Sequence, residues 1–260
     1  MLYVGTSGWQ YRHWKEVFYP PKLPQRGWLE YFAKRFQTTE VNNTFYNLPD
    51  ASVFEHWEKV APHDFLFALK MSRFLSHLKR LRDPEEPVER FLERARRLGG
   101  KRGPILIQLP PSMRVDAGRL KTALAAFPAS ERVAVEFRHE SWHVEATWEL
   151  LRRRGVAVAW TEWRELPRVT EITADFLYLR WLGDRRDIER YDRVQIDRSD
   201  SFRAWEADLM GALGRVREVY GYFNNHWAGH SPASANEMKR RLGLATTEPR
   251  DHWPQGELFA

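Results

Sequence analysis

Short runs rich in β-branched and aromatic residues alternate with longer amphipathic segments along the whole chain. This alternation restricts the fold more than any other feature, because it is typical of βα units with a parallel sheet. The pattern predicts eight strands. They lie at residues 2–5, 38–41, 65–69, 104–109, 133–136, 156–160, 176–180 and 219–223.

Amphipathic segments between the strands predict helices at residues 29–36, 52–60, 85–98, 117–127, 143–154, 201–217 and 233–242. Asp50 or Ser52 is placed to cap the second of these helices, and Gly99, Gly100 and Gly155 fall where helices should end.

A chain with eight strands and helical crossovers can form a closed barrel or an open doubly wound sheet. The strand count favours the (β/α)8 TIM barrel, and no glycine-rich phosphate fingerprint follows the first strand. We therefore expect one α/β barrel domain over residues 1–244 and an irregular C-terminal tail over residues 245–260.

The amino-acid composition restricts the kinds of reactive site and cellular location that we expect for this chain. The chain contains no cysteine, which excludes disulfides, thiolate nucleophiles and sulfur-ligated metals. We expect a cytoplasmic protein without membrane association, because we find no signal peptide and no apolar stretch of about 20 residues. The net charge of +6 permits an anionic partner, although many of the basic residues alternate with acidic ones on helix faces.

Nearly every predicted strand ends in a polar or charged residue, and TIM-barrel active sites are built at these carboxyl ends. Five charged residues, Glu40, Lys70, Glu136, Arg138 and Arg180, should converge there as a paired ring. A purely structural set of salt bridges is the plain alternative, but it would not need amides and aromatics beside it. If Glu136 points inward, alternation turns Ala134 and Arg138 inward too, and Arg180 does the same for Tyr178.

These residue types indicate acid/base chemistry on an anionic substrate. Glu40 or Glu136 would be the general base, and Lys70 and His77 complete the candidate catalytic set. The candidate substrate-binding residues are Ser7, Trp9, Asn42, Tyr46, Gln108, Arg138, His139, Arg180, Asn224 and Asn225. We expect no cofactor and no metal, because the spacing carries no metal signature and the cations would compete for the carboxylates.

Several motifs occur in an order that resembles the YecE-like family (DUF72). They are GTSGW at residues 5–9, EVNNTFY at 40–46, FALK at 67–70, QLPP at 108–111, EFRH at 136–139 and YFNN at 222–225. The resemblance implies a TIM barrel without an established reaction, and its loose grouping with sugar isomerases is analogy of fold. Three positions depart from the pattern: Leu182 replaces an expected histidine, and Glu162 and His226 stand where aspartate is usual.

Three functions remain open on this pattern. The first is an enzyme acting on a small phosphorylated or carboxylated, sugar-like compound. The second is a nucleic-acid-processing enzyme of the nuclease or repair type, and the third is a ligand-binding barrel without catalysis. Several aromatic residues are predicted on loops at the mouth, the opening at the carboxyl ends of the strands. Their rings favour a ligand on which they can stack, such as a sugar or a nucleic-acid base. They are Trp9, Trp14, Trp142, Trp163 and Trp227, whereas Trp57, Trp148 and Trp205 are expected in the packing of helices. The sequence leaves the substrate, the reaction type and the oligomeric state undetermined.

Overall fold

The computed structural model describes residues 1–247, and eight parallel strands in it close into a barrel in chain order. The TIM-barrel fold class is thereby confirmed. The strands are β1 (Leu2–Ser7), β2 (Thr38–Val41), β3 (Leu66–Lys70), β4 (Arg102–Gln108), β5 (Val133–Glu136), β6 (Ala157–Glu162), β7 (Phe176–Trp181) and β8 (Glu218–Phe223). Each lies within a few residues of its predicted position.

Helices follow the strands on the outside of the barrel. They are α1 (Trp28–Ala33), α2 (Asn43–Tyr46), α3 (Ala51–Val60), α4 (Glu85–Ala95), α5 (Ala117–Ala125), α6 (Glu145–Arg154), α7 (Ser199–Ala212), α8 (Asn225–Ala228) and α9 (Ser231–Arg241). The short helices α2 and α8 were not predicted from the sequence, because a single turn is too short to show periodicity. A π-helical turn at Phe74–Leu78 was also not predicted.

Two predicted helix ends differ in outcome. Gly155 adopts the left-handed conformation, with φ at 61°, and ends α6 as expected. Gly99 also has a positive φ, but it lies inside a 3₁₀ segment that continues from α4 to Lys101. Asp50 precedes α3 without a side-chain capping bond.

Alternation along the strands separates two apolar regions. The barrel interior holds Ala134, Tyr178 and Tyr222 among others, whereas Val135 and Phe137 belong to the larger cluster between strands and helices. The predicted facing of β5 and β7 is confirmed at these positions. Because side chains alternate along a strand, the charged residues two positions beyond Ala134 and Tyr178 also point into the barrel.

Most loop tryptophans belong to the outer packing and not to the mouth. Trp14, Trp142 and Trp227 are fully buried, and Trp9 is 4% exposed with its ring 5.5 Å from that of Trp57. These four follow strand ends as predicted, but their burial excludes the stacking on a ligand that we expected of them. Indole rings of this size are used here to fill the layer between barrel and helices.

No helix within residues 1–247 is long and apolar enough to cross a membrane. The predicted boundary at residue 244 and the cytoplasmic location stay predictions. Residues 245–247 carry no regular structure, and residues 248–260 of the predicted tail lie outside the described residues.

Candidate active site

A pocket of about 580 Å³ opens at the carboxyl end of the barrel. Its lining combines four cationic side chains with histidines, amides and aromatic rings, and within the described residues no carboxylate belongs to it. The lining consists of Tyr11, Asn42, Phe45, Tyr46, Lys70, Arg73, His77, Gln108, Arg138, Trp163, Arg180, Leu182, Gly183, Asn224 and His226.

Arg180 forms the floor of this pocket. Its Nε and Nη2 each donate to the carboxylate of Glu40 at 2.8 Å, and its Nη1 donates to Glu136. Glu40 also accepts hydrogen bonds from Tyr178 at 2.8 Å and from Ser7 at 2.6 Å. One guanidinium therefore joins β2, β5 and β7 across the barrel through short, charge-assisted contacts.

The two glutamates lie beneath the pocket, at 0% and 1% exposure. Burial opposes their ionisation, but for Glu40 the charge and hydrogen bonds of Arg180, together with Ser7 and Lys70, outweigh it, so its pKa lies below the usual value. Arg180, Arg138 and Lys70 likewise outweigh burial for Glu136 and lower its pKa to about 2. Both carboxylates are thus held as anions and contact arginine instead of the pocket space.

Lys70, at the end of β3, is the cation with the most unusual surroundings. Its Nζ donates to Oε1 of Gln108 at 2.6 Å and lies 4.1 Å from the centre of the Phe45 ring. No carboxylate in the described part of the chain pairs with it. Burial, and then the positive charge of Arg180, lower the pKa of Lys70 to about 7.

His77 lies on the π-helical turn at the same wall. Its Nδ1 is 3.0 Å from the hydroxyl of Ser76, and its ring packs edge-on against Phe45 at 4.9 Å. Burial and the nearby cations Lys70 and Arg73 lower the pKa of His77 to about 4. The imidazole is therefore neutral at physiological pH.

Arg138 and Trp163 form the wall at β5 and β6. Nε of Arg138 donates to Glu136 at 2.5 Å, and its guanidinium carbon lies 4.6 Å from the centre of the Trp163 ring. This stacking holds the guanidinium plane between the buried carboxylate and the open pocket. The arginine is thus fixed while part of its donor fork stays available.

The wall at β7 and β8 is made of backbone in close contact. Gly183 has a φ of 66°, and a Cβ there would lie 2.1 Å from the carbonyl oxygen of His226. Only glycine fits this approach. Across it, the Nε2 atom of His226 is 2.7 Å from the hydroxyl of Tyr191, and Asn224 accepts the backbone N–H of His226 at 3.0 Å.

The structure brings eight of the fourteen predicted site residues into the pocket lining. They are Asn42, Tyr46, Lys70, His77, Gln108, Arg138, Arg180 and Asn224. Glu40, Glu136 and Ser7 lie below it, where Ser7 receives a hydrogen bond from Asn42 at 2.7 Å and passes one to Glu40.

Three predicted binding residues lie elsewhere. Trp9 packs among outer aromatic rings, and His139 accepts the backbone N–H of Ser141 at 3.1 Å at the start of a 3₁₀ turn. Asn225 is buried, where its Oδ1 accepts hydrogen bonds from Trp14 and Ser231. Each follows an inward residue by one or two positions in a loop, where strand alternation no longer sets direction.

Arg73 is the lining residue that sequence reasoning missed most clearly. It is an exposed cation three residues beyond the end of β3, in a segment where the strand-end rule was not applied. Tyr11 was also missed as a lining residue, although it lies within the first strand-to-helix loop. Extending the search several residues past each strand end would have found both.

Within residues 1–247, no group of three or more His, Asp or Glu side chains is arranged to hold a metal ion. Glu162, which departs from the family pattern, points outward and accepts the indole N–H of Trp205 at 2.6 Å. A larger groove of about 750 Å³ lies at the opposite end of the barrel, but its Arg152 and Arg153 are paired with glutamates.

A closed parallel barrel with polar side chains converging at its carboxyl end defines the class as a TIM-barrel protein with a mouth pocket. The family model described as "Protein of unknown function DUF72" matches residues 3–257. The chain therefore belongs to the DUF72 family, as its motifs indicated.

Relatives agree with this assignment. UPF0759 protein YecE of Escherichia coli K12 is 28% identical over 157 residues, which are 60% of this chain and 55% of that protein. The matched region thus spans about half the length of YecE. UPF0759 protein YunF of Bacillus subtilis 168 is 25% identical, over 94% of this chain and 95% of YunF.

Two crystal structures share the fold. A DUF72 family protein from Thermotoga maritima MSB8 superposes with a TM-score of 0.82 at 30% identity, over 94% of this chain and 99% of that one. A DUF72 family protein from Enterococcus faecalis V583 gives a TM-score of 0.78 at 16% identity, over 95% and 97% of the two chains.

Proposed function

We propose that the protein is an enzyme whose mouth pocket binds a small phosphorylated or carboxylated, sugar-like substrate. One observation carries this proposal. Lys70, Arg73 and Arg138 line a single pocket, and no carboxylate of the described residues shares that lining. The four cations of the lining outnumber the two glutamates buried beneath it, which leaves an excess of positive charge. Such an excess attracts an anion, and arginine forks match the oxygens of phosphate and carboxylate groups.

Proton transfer in this proposal belongs to Lys70 instead of to Glu40 or Glu136. A general base works best when its pKa is near the operating pH. The pKa of Lys70 is about 7, whereas that of Glu136 is about 2 and the carboxylate is turned to Arg180 and Arg138. The two glutamates then have the task of fixing the arginines.

Neutral groups supply the remaining contacts. Asn42, Gln108 and Asn224 offer amides that suit the hydroxyls of a sugar-like molecule. His77, neutral because its pKa is about 4, is a second proton carrier at the same wall. Trp163 offers a flat apolar face.

The binding part is tested with inorganic phosphate as the probe, by calorimetry and thermal unfolding. Arg73→Gln should weaken phosphate binding about tenfold, the loss of one charge-assisted contact. Arg217→Gln is the matched control, since that exposed arginine lies at the opposite end of the barrel. Equal phosphate affinity in the three proteins would refute an anion site at the mouth.

The catalytic part needs a substrate, which native mass spectrometry of the purified protein can supply as a co-purified ligand. With that ligand or its close analogues, Lys70→Met should lower turnover at least about 100-fold while ligand binding changes only a few-fold. A ligand-binding barrel without catalysis predicts tight binding and no turnover in the unsubstituted protein. That result would overturn the enzymatic proposal and leave the anion site standing.

A second candidate, a nucleic-acid-processing enzyme, is favoured by one feature of the pocket rim. Tyr46, 71% exposed, and the cation Arg73 both line the pocket, and Phe74, 45% exposed, follows Arg73 in the chain. Exposed rings next to a cation suit stacking of unpaired bases.

Anisotropy titrations of a labelled single-stranded oligonucleotide at several salt concentrations test this candidate. Nucleic-acid binding should weaken with salt, and Tyr46→Ala should weaken it by about 1–3 kcal/mol. Met210→Ala, on the remote helix α7, serves as the control because Met210 is also exposed, at 59%. Binding that is absent, or insensitive to the Tyr46 substitution, would remove this candidate.

A further inference from the structure

The pocket contains one primary amine in a setting that differs from the other lysines of the chain. Lys70 lies on the wall of the pocket, 7% exposed, whereas Lys34 is a surface residue with 63% of its side chain exposed and a glutamate partner at 2.7 Å. The only close hydrogen-bond partner of the Lys70 amine among residues 1–247 is the neutral side-chain oxygen of Gln108. The amine is thus held in place without being neutralised by a carboxylate.

We propose that Lys70 is a nucleophile that forms an imine with the carbonyl group of an anionic aldehyde, ketone or oxo acid bound at the mouth. This rests on the proposed function, because the anion site formed by Arg73 and Arg138 is what would bring the carbonyl compound to the amine. It goes beyond proton transfer by naming a covalent step and a substrate class.

The geometry supports this step in two ways. The Gln108 oxygen takes one N–H at 2.6 Å and leaves the rest of the amine free to face the pocket. The ring of Phe45 covers another side at 4.1 Å and keeps water from it. Imine formation releases water, so a site that limits water favours the product.

The electrostatics agree with the geometry. Burial and then Arg180 lower the pKa of Lys70 to about 7, so about half of the amine is unprotonated at neutral pH. An exposed lysine, with an ordinary pKa near 10.4, has less than about a thousandth of its amine in that form. Only the unprotonated amine attacks a carbonyl carbon.

The reaction balances without a further reagent. The nitrogen lone pair forms a bond to the carbonyl carbon, and the oxygen takes the electrons of the C=O π bond. The two hydrogens lost from the nitrogen leave with that oxygen as water, and a C=N bond remains. His77 lies at the same pocket wall and, as a neutral imidazole, can pass protons between nitrogen and oxygen.

The test uses the full-length protein with glyoxylate or glycolaldehyde phosphate, and sodium cyanoborohydride to trap the imine. Intact mass and peptide mapping should show one adduct, on Lys70, equal to the carbonyl compound less one oxygen atom. Labelling of Lys70 should be at least about tenfold faster than that of any exposed lysine, because far more of its amine is unprotonated. It should rise with pH around 7.

Lys70→Arg should abolish the rapid adduct, whereas Lys34→Arg should leave it unchanged. Inorganic phosphate should slow the labelling of Lys70 and not that of surface lysines. Adducts found only on exposed lysines, in a protein that still binds phosphate at the mouth, would overturn the imine and leave the anion site intact. If phosphate does not bind either, both proposals fail together.

Discussion

The two ends of the barrel each carry arginine–glutamate pairs, yet they are built differently. At the mouth, Arg180 is 3% exposed and binds both Glu40 and Glu136. At the base, Arg132 donates to Glu218 at 2.6 Å and to the hydroxyl of Tyr220 at 2.8 Å, and 35% of its side chain is exposed. The first network is shut off from water, and the second is at its edge.

The cavities beside the two networks differ in charge as well. The mouth pocket is lined by four cations and no carboxylate within the described residues. The cavity of about 420 Å³ at the base is lined by Glu131, Asp175 and Glu218 together with Arg132 and Arg217. The charges at the base offset one another, so their role is structural, at the closed end of the barrel. Charges at the mouth leave an excess that a ligand can use.

The largest expected effect comes from removing the central arginine of each network. Arg180→Met leaves buried Glu40 without a cationic partner and Glu136 with Arg138 alone. It should lower the free energy of unfolding by about 3–5 kcal/mol. Arg132→Met should cost about 1 kcal/mol, because solvent screens this partly exposed pair. Urea unfolding of both variants measures the loss of unfolding free energy. Equal losses would show that the two networks do not differ in how much they stabilise the fold.

A second prediction concerns pH. The pKa of Lys70 is lowered by burial from 10.5 to about 7, so between these values the unfolded chain binds more protons than the folded one. Stability relative to Lys70→Met should then rise by roughly 1 kcal/mol per pH unit from pH 7 to 9, and stay level below pH 7. Urea midpoints of both proteins across this range give the slope. A flat difference means that Lys70 titrates as an ordinary lysine.

The third prediction uses the excess charge directly. Glu136→Gln removes a negative charge beneath the pocket, so inorganic phosphate should bind roughly threefold to tenfold more tightly at low salt. Glu218→Gln, at the base, should leave phosphate affinity unchanged. Calorimetric titration of the two variants decides the matter, and weaker phosphate binding in Glu136→Gln would mean that the glutamate mainly orients the anion-binding arginine.

The smallest contrast is between two buried tyrosines. Tyr178 donates to Glu40 at 2.8 Å beneath the mouth, and Tyr220 donates to Glu218 at 2.8 Å at the base. Tyr178→Phe should cost about 1.5 kcal/mol of unfolding free energy, because its acceptor is a fully buried anion. Tyr220→Phe should cost less than about 1 kcal/mol. Identical values in urea unfolding would show that solvent access does not separate the networks.

Periodicity predicted the barrel well, since burial on both faces leaves a strong signal in parallel strands. It located all eight strands and the inward facing of Glu136 and Arg180. Periodicity could not show how far each inward side chain lies below the pocket. Glu40 and Lys70 end neighbouring strands, but the first is sealed beneath Arg180 and the second reaches the pocket. Depth depends on side-chain length and on strand stagger, which the alternation of residues does not encode.

Loop residues were the other limit. Trp9, His139 and Asn225 follow strand ends just as Asn42 and Asn224 do, yet they pack away from the pocket. Beyond the last paired residue the backbone turns, and the direction of a side chain is set by local hydrogen bonds. Arg73 lies in the pocket lining for the same reason, because it precedes a π-helical turn that the sequence pattern did not predict.

Because Gly183 lies in close contact with the backbone of His226, this wall of the mouth is harder to alter by substitution than the opposite wall. A side chain at position 183 would collide with the backbone of the next loop, so these two segments can change only together. The opposite wall carries Tyr46 and Arg73, which are exposed, so each can change without moving a neighbouring backbone segment. Substitutions that change which ligand this protein binds should therefore be easier to make on that side than at the wall of Gly183 and His226.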